Sequence, residues 1–202
     1  MIEYSADQTD AIQEIVNIGM GTAASSLART LDTFVCLPVP RVRIVRSSDV
    51  IAAVSELTGV SSKLTAVRPG FTSGFRGEAL VIFGAGSAED LRSHLGYEGE
   101  LAKTDVEEIL LEISNILVGA CLGGIADQLS YHLSFSAPSF IAHNATIESL
   151  LAPQRITWDH SLLVEVNFRL VDQEFVAHIL LFWPEDSAEV LRRAIDALLE
   201  EP

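Results

Sequence analysis

The sequence predicts an α+β fold built from two tandem copies of a helix–strand–(short helix)–strand–strand–helix unit. The copies form one pseudo-two-fold domain, with a six-stranded, mainly antiparallel sheet and two long helices on one face. Three observations carry this expectation. The helical stretch Asp10-Ala-Ile-Gln-Glu14-Ile-Val-Asn17-Ile-Gly-Met-Gly21 recurs as Glu108-Ile-Leu-Leu-Glu112-Ile-Ser-Asn115-Ile-Leu-Val-Gly119, each aligned residue displaced by 98 (112 − 14, 115 − 17, 119 − 21). Pro40 and Pro138 keep the same offset, and Ser87-Ala-Glu-x-Leu-Arg92 returns as Ser187-Ala-Glu-x-Leu-Arg192 at 100 (187 − 87). An offset that drifts by only two residues over most of a repeat marks tandem duplication.

The elements follow in order. In the first copy a helix is expected from about Gln8 to Leu31. Asp10, Glu14, Asn17 and Gly21 lie at i, i+4, i+7 and i+11, which is one polar stripe. Ile12, Ile15, Val16, Gly19, Ala23 and Leu27 make the opposite, apolar side. Arg41 to Arg46 half-alternates apolar and charged residues and reads as a strand with one wet face. Asp49 is placed to cap a short helix over Val50 to Leu57. Leu64 to Val67 and Gly77 to Phe83 read as strands, with Pro69-Gly70 and Gly74 in the turn between them. Ser87 is placed as the N-cap of a closing helix with acids in its first turn.

The second copy repeats this order. Its long helix is expected from about Asp105 to Leu129. Glu108, Glu112, Asn115 and Gly119 form the polar stripe, and Leu110, Ile113, Leu117 and Cys121 the apolar one. A strand near Ser134 to His143 and a short helix near Thr146 to Leu151 come next. A hairpin then pairs Leu162–Leu170 with Glu174–Trp183, and Asp186-Ser187 opens the last helix. The repeats span about residues 8–100 and 105–200 of a domain covering 1–202. Interior glycines cost a helix about 1 kcal/mol each relative to alanine. Gly19, on the apolar side, suggests close helix packing. Gly21 and Gly119, beside the polar stripes, suggest room for a partner surface.

Composition narrows the function. Net charge is −15, so nucleic acid and anionic membrane are not expected partners. The longest uncharged run near a helix, Ile113 to Ala126, is shorter than the ~20 residues of a spanning helix. Met1 to Asp7 has neither the basic nor the apolar region of a signal peptide. Cys36 and Cys121 stand in apolar contexts without metal-ligand spacing and read as two buried free thiols, which suits a reducing cytoplasm. The five histidines have no metal-ligand spacing. Gly19-Met-Gly21-Thr-Ala-Ala24 matches a dinucleotide fingerprint by letter, but its glycines fall inside a helix instead of opening one. Asp159-His160-Ser161 holds the letters of a triad, yet neighbours on a strand point to opposite faces.

What remains is the doubled Glu-x2-Asn. Both copies keep Glu and Asn while their surroundings drift: Val16 becomes Ser114, Gly19 becomes Leu117 and Ala24 becomes Leu122. Asparagine is a mediocre helix former, so propensity does not place it there twice. At these residues the sequence resembles the CheC/CheX/FliY family of response-regulator phosphatases. Its signature, an acid or Ser, three residues, Glu, two residues, Asn, reads here as Asp10-x3-Glu14-x2-Asn17 and Glu108-x3-Glu112-x2-Asn115. Glu108 departs from the usual Asp or Ser. Two intact motifs resemble CheC.

The resemblance implies a phosphatase for the phosphoaspartate of a CheY-like receiver domain. Asn17 and Asn115 would orient the attacking water, and Glu14 and Glu112 would pair with the receiver's lysine. Asp10 and Glu108 would assist docking, beside Gly21 and Gly119. No cofactor or metal of its own is implied; Mg²⁺ would come with the receiver. CheD is a further partner that the resemblance allows, and the cytoplasm is the expected location. The alternative is a non-catalytic binding, flagellar-switch or CheD-binding adaptor module on the same fold. The intact motifs favour the enzyme. So does the expectation that the chain closes with its second repeat, without the further domain of switch proteins.

Overall fold

A computed structural model describes residues 3–59, 63–72, 77–84, 86–92, 94–152, 156–171 and 175–200; Thr72 and Ser136 are placed by their backbone only. Gly74 and Glu174, given above to a turn and to a strand start, lie outside the described residues. The chain runs α1 (Ala6–Leu31), β1 (Val35–Cys36), β2 (Arg41–Arg46), α2 (Val50–Thr58), β3 (Leu64–Thr72), β4 (Glu78–Phe83), α3 (Ser87–Arg92), α4 (Lys103–Gln128), β5 (Ser134–Ala145), α5 (Ile147–Leu150), β6 (His160–Leu170), β7 (Val176–Pro184) and α6 (Glu185–Glu200).

Local chemistry sets the ends of the long helices. Ser5 caps α1: its Oγ accepts from the Gln8 amide at 3.1 Å, and Gln8 Oε1 accepts from the Ser5 amide at 2.8 Å. The left-handed Asp32 stops it. Before α4 stands Ala102, with no capping oxygen of its own. Its amide instead donates to Asp105 Oδ2 at 2.8 Å. Each helix is 26 residues long. Asp49 sits at the N-cap of α2, but its side chain makes no capping bond. Ser87, expected as a cap, is the first residue inside α3 and is buried.

Among the described residues all strands join one antiparallel sheet ordered β1-β6-β7-β4-β3-β5, with β2 also paired to β6. The seven strands differ from the six expected because one edge is broken. β1 pairs with Arg169 and Leu170 at one end of β6, and β2 with residues from His160 to Glu165 at the other. Between them lies Leu37-Pro38-Val39-Pro40, whose prolines offer no amide to the ladder. The expected turn at Pro69-Gly70 is corrected as well. β3 runs on to Thr72, and Pro69 falls within a register shift between Arg68 and Gly70. A bulge leaves proline's missing donor unneeded there.

The two copies exchange strands. Each copy makes its own hairpin, β3–β4 or β6–β7, and the hairpins join along β4–β7. The outer strand of each hairpin is covered by the other copy: β2 of the first copy lies on β6, and β5 of the second lies on β3. At the β2–β6 seam the buried Glu165 accepts from Arg41 Nε at 2.9 Å and lies 2.7 Å from His178 Nδ1.

Both faces of the sheet are covered. Val67, Val81, Val164 and Ile179 share a core with α1 and α4, which places both long helices on one face. Ala66, Leu80, Leu163 and Leu180 share a second core with α2 and α5. Among the described residues, α4 is one helix long and apolar enough to cross a membrane, and 61 % of its apolar window is buried inside the protein. Cys121 is buried within the first core, where burial pushes its thiol up to about 12. Cys36 does not share that environment. It is exposed on the two-residue edge strand β1, which corrects the expectation of two buried thiols.

α1 packs on α4 through glycine. A Cβ on Gly19 would run into the Cys121 carbonyl oxygen and meet Ile125 Cγ1 at 3.1 Å. A Cβ on Gly124 would lie 2.7 Å from the Cα of Gly19. Gly19→Ala is therefore expected to destabilise the fold by about 1–3 kcal/mol, despite alanine's better helix propensity. A urea midpoint that is unchanged or raised would contradict this packing.

Candidate functional site

The stripe residues divide as the helical period requires. Ile12, Ile15, Val16, Gly19, Ala23 and Leu27 of α1 are buried, whereas Asp10, Glu14, Asn17 and Gly21 are exposed. On α4, Leu110, Ile113, Leu117 and Cys121 are buried, and Glu108, Glu112 and Asn115 are exposed. Gly119 is half-buried. Both asparagines thus stand on solvent-facing helix surface, on the two helices that share one side of the sheet. Among the described residues no hydrogen bond or ion pair engages Glu14, Asn17, Glu112 or Asn115. They are available to a partner.

The glycines separate into two kinds. Gly19 and Gly124 are dictated by helix contact. Gly21 and Gly119 are not, since a Cβ on either would meet nothing within 4 Å. Each follows its asparagine by four residues, about one turn. Nothing inside the protein requires the loss in helix propensity, and it is taken twice. A bare stretch of backbone beside each asparagine lets another surface approach closely.

Charge around the stripes is lopsided. α1 has Asp7, Asp10 and Glu14 and no cation before Arg29; α4 has Asp105, Glu107, Glu108 and Glu112, with Lys103 alone opposing them. Lys103 Nζ lies 3.7 Å from Glu107 Oε1, leaving Glu108 and Glu112 uncompensated by it. Such a surface suits a cationic contact on a partner and repels a bare anion.

Two features were missed in the sequence. Tyr97 is half-buried in the connection before α4. Burial, followed by the negative charge of Glu108, Asp105 and Glu112, pushes its hydroxyl above the usual tyrosine value. The only signal was an aromatic residue within the glycine-rich Gly96-Tyr97-Glu98-Gly99 turn. Ile18 is 39 % exposed beside Asn17, an apolar contact that simple amphipathic reading assigns to neither face.

The competing motifs place no site. Gly19 and Gly21 lie inside α1, and Ser161 is buried with its hydroxyl on the Leu162 carbonyl at 3.2 Å. Among the described residues, no group of three or more His, Cys, Asp or Glu could hold a metal ion.

A CheC-like family profile matches residues 8–42, which include Asp10, Glu14 and Asn17. The flagellar motor switch phosphatase FliY of Bacillus subtilis is 27 % identical over 188 residues, 90 % of this chain and 47 % of FliY. The chain therefore spans about half the length of that relative. The CheY-P phosphatase CheC of the same organism is 25 % identical over 203 residues, 96 % of each chain. The solved structure of Thermotoga maritima FliY superposes with a TM-score of 0.72 at 16 % identity, covering 98 % of this chain and 100 % of that one. The chain is similar to the CheC/CheX/FliY family. The CheC-like fold is shared more widely. FliM in a complex with SpeE from H. pylori reaches a TM-score of 0.62 at 10 % identity, with 99 % and 100 % coverage. A CheX–CheY complex from Borrelia burgdorferi gives 0.54 at 14 % identity, with 86 % and 99 % coverage. The relatives' names include a CheY-P phosphatase and a flagellar motor switch phosphatase, while FliM shares the fold at low identity, and a shared fold does not by itself assign an activity.

If Gly21 serves a partner and not the core, Gly21→Ala should leave the fold as stable as the parent or gain up to about 1 kcal/mol. Urea unfolding beside Gly19→Ala checks this. A loss like that of Gly19→Ala would show that Gly21 is needed inside the protein.

Proposed function

We propose that this CheC-like chain is a phosphatase for the phosphoaspartate of a CheY-like receiver domain. One observation carries the reading: the Glu-x2-Asn pair occurs twice, exposed and unengaged on both long helices, each time beside a glycine that the fold does not require. The names of the CheC and FliY relatives support it.

The chemistry asked of the chain is small. A receiver brings its own Mg²⁺ and lysine to the phosphoryl group, so what remains is positioning and electrostatics. The carboxamide of Asn17 or Asn115 offers both donor and acceptor without a charge that repels phosphoryl oxygens. It orients a water for in-line attack. Glu14 or Glu112 pairs with the receiver's lysine and sets the register of docking. Asp10 and Glu108 add acceptors to the same face, and Gly21 and Gly119 let the receiver close on the helix. No nucleophile, metal or cofactor of the chain's own takes part. The reading places the chain in the cytoplasm, with CheD as a second partner that the resemblance allows.

A second reading follows from the FliM likeness: the same surfaces serve as a non-catalytic switch or adaptor module. The kept asparagines separate the two, because binding alone has no use for a water-orienting amide.

Removing an amide that acts mainly in the transition state lowers turnover more than affinity. Asn17→Ala and Asn115→Ala should each keep part of the activity, with the larger loss for Asn17→Ala, whose motif carries the usual acid at Asp10. The double variant should fall by about 10²-fold or more, toward the receiver's spontaneous rate, and remain folded. Phosphoreceiver decay beside a thermal melt decides this. A folded double variant with parental activity would overturn the mechanism and favour the adaptor reading.

Docking is tested separately. Glu14→Lys with Glu112→Lys turns two attractive contacts into like-charge repulsion, so receiver affinity should fall, and less so in high salt. Unchanged affinity in a receiver titration would remove the proposed lysine pairing.

A further inference from the structure

Among the described residues β2 is paired on one side only, to β6. One step beyond the Arg46–His160 pair of this ladder, the Ser47 amide donates to the Asp159 carbonyl at 2.9 Å. Hydrogen-bonded pairs alternate along an antiparallel ladder. Arg43 and Val45 therefore bond to β6, while Val42, Ile44 and Arg46 turn their main-chain groups outward. The carbonyls at either end are taken: Pro40 accepts from Gln13 Nε2 at 3.3 Å, and Arg46 from the Asp49 amide at 3.0 Å. Among the described residues nothing takes the outward groups of Val42 and Ile44 or the amide of Arg46.

A groove of about 670 Å³ follows this edge, and Arg43, Ile44, Val45 and Arg46 all line it. Neighbours on a strand point to opposite faces, so four in a row share a cavity only where it passes the strand's edge. Tyr4 walls the groove on the side of the long helices, and Ala53 of α2 on the other. The space is where a further strand would lie.

The side chains select the occupant. Arg41 is bound to Glu165 and Arg43 to Glu56, but among the described residues Arg46 has no ion pair. His160, directly opposite Arg46 in the ladder, lines the same groove, and its Nε2 is buried without a hydrogen-bond partner. A guanidinium and a ring nitrogen left open side by side fit one carboxylate: Arg46 donates to it, and so does Nε2 when it carries the proton. Glu3 and Asp49 also line the groove, so a run of acids is repelled where a single one is held. Ile44, two residues from Arg46 and on the same face, is 38 % exposed and offers an apolar contact.

We propose that the outer edge of β2 docks an extended segment of a partner protein. The segment adds a strand to the sheet, sets one carboxylate side chain against Arg46 and His160, and places an apolar residue, two positions away, against Ile44. The occupant is a polypeptide because the open amides and carbonyls recur at strand spacing and match peptide groups. A second copy is disfavoured, since β2 against β2 brings the arginines of both chains onto one ladder. The inference does not depend on the phosphatase reading.

The test is an NMR titration of the full chain with an acetylated, amidated heptapeptide: a central glutamate, valine two places to either side, and threonine elsewhere. Amide shifts are expected at Val42, Ile44, Arg46 and His160. The glutamine counterpart should bind about fivefold more weakly, and Arg46→Gln, an exposed substitution, should remove that difference. N-methylation of alternate peptide amides should abolish binding for one set and spare it for the other, as pairing through a single edge requires. Absent binding, shifts confined to other surfaces, equal affinity for the glutamine peptide, or a difference that persists in Arg46→Gln would overturn the proposal. Equal loss from both methylated sets would overturn strand addition. N-acetylglutamate amide bound as tightly as the peptide would overturn the polypeptide occupant and leave a small-carboxylate pocket. Shifts of the same residues on raising the protein concentration alone would overturn the foreign partner and make the edge an interface between copies.

Discussion

The structure depends on one pairing constraint: neither copy of the duplicated unit covers the outer edge of its own hairpin. β3 receives β5 and β6 receives β2, so each copy contributes the strand that the other lacks. An uncovered strand presents unpaired amides and carbonyls, and exchange removes that hazard from the two inner hairpins. It also fixes α1 and α4 side by side, because each long helix leads directly into an exchanged strand or its broken edge. The two asparagine-bearing faces are thus held by one continuous core, without a hinge between them.

The seam is reinforced asymmetrically. Glu165, buried on β6, binds Arg41 of β2 and approaches His178 of β7. At the offset of 98 its counterpart is Val67, in the centre of an apolar region. A buried carboxylate depends on partners for its stability, so the Arg41–Glu165 pair specifies the β2–β6 register more than it adds to net stability.

Much of the fold was legible because the chain states it twice. Helical period and apolar spacing placed α1 and α4 within a few residues, and the alternation of Arg41–Arg46 placed β2. Pro69 misled because a proline–glycine pair signals a turn locally, while the long-range pairing with β5 absorbs it as a bulge. Cys36 misled in the same way: its apolar neighbours suggested burial, but exposure on an edge strand is a tertiary fact. Strand exchange itself leaves no local signal, since β2 and β5 would read the same beside either hairpin. For the site, the stripe and its glycines were legible from spacing. The distinction between Gly19 and Gly21, two residues apart, required knowing where α4 lies.

Strand exchange also governs when the molecule can complete itself. Arg41 and Glu165 are 124 residues apart, so β2 cannot find its place until nearly the whole chain has been synthesised. Helix α1 and hairpin β3–β4 can form early, but the outer edge of β3 stays uncovered until β5 emerges. Contacts of such sequence separation carry a loop-closure cost before they give any return, which slows folding relative to two independent repeats. The nascent first half is therefore the stage most open to pairing with a neighbouring chain, and most of the finished protein's charge of −15 is added only with the second half, where it opposes such encounters through mutual repulsion.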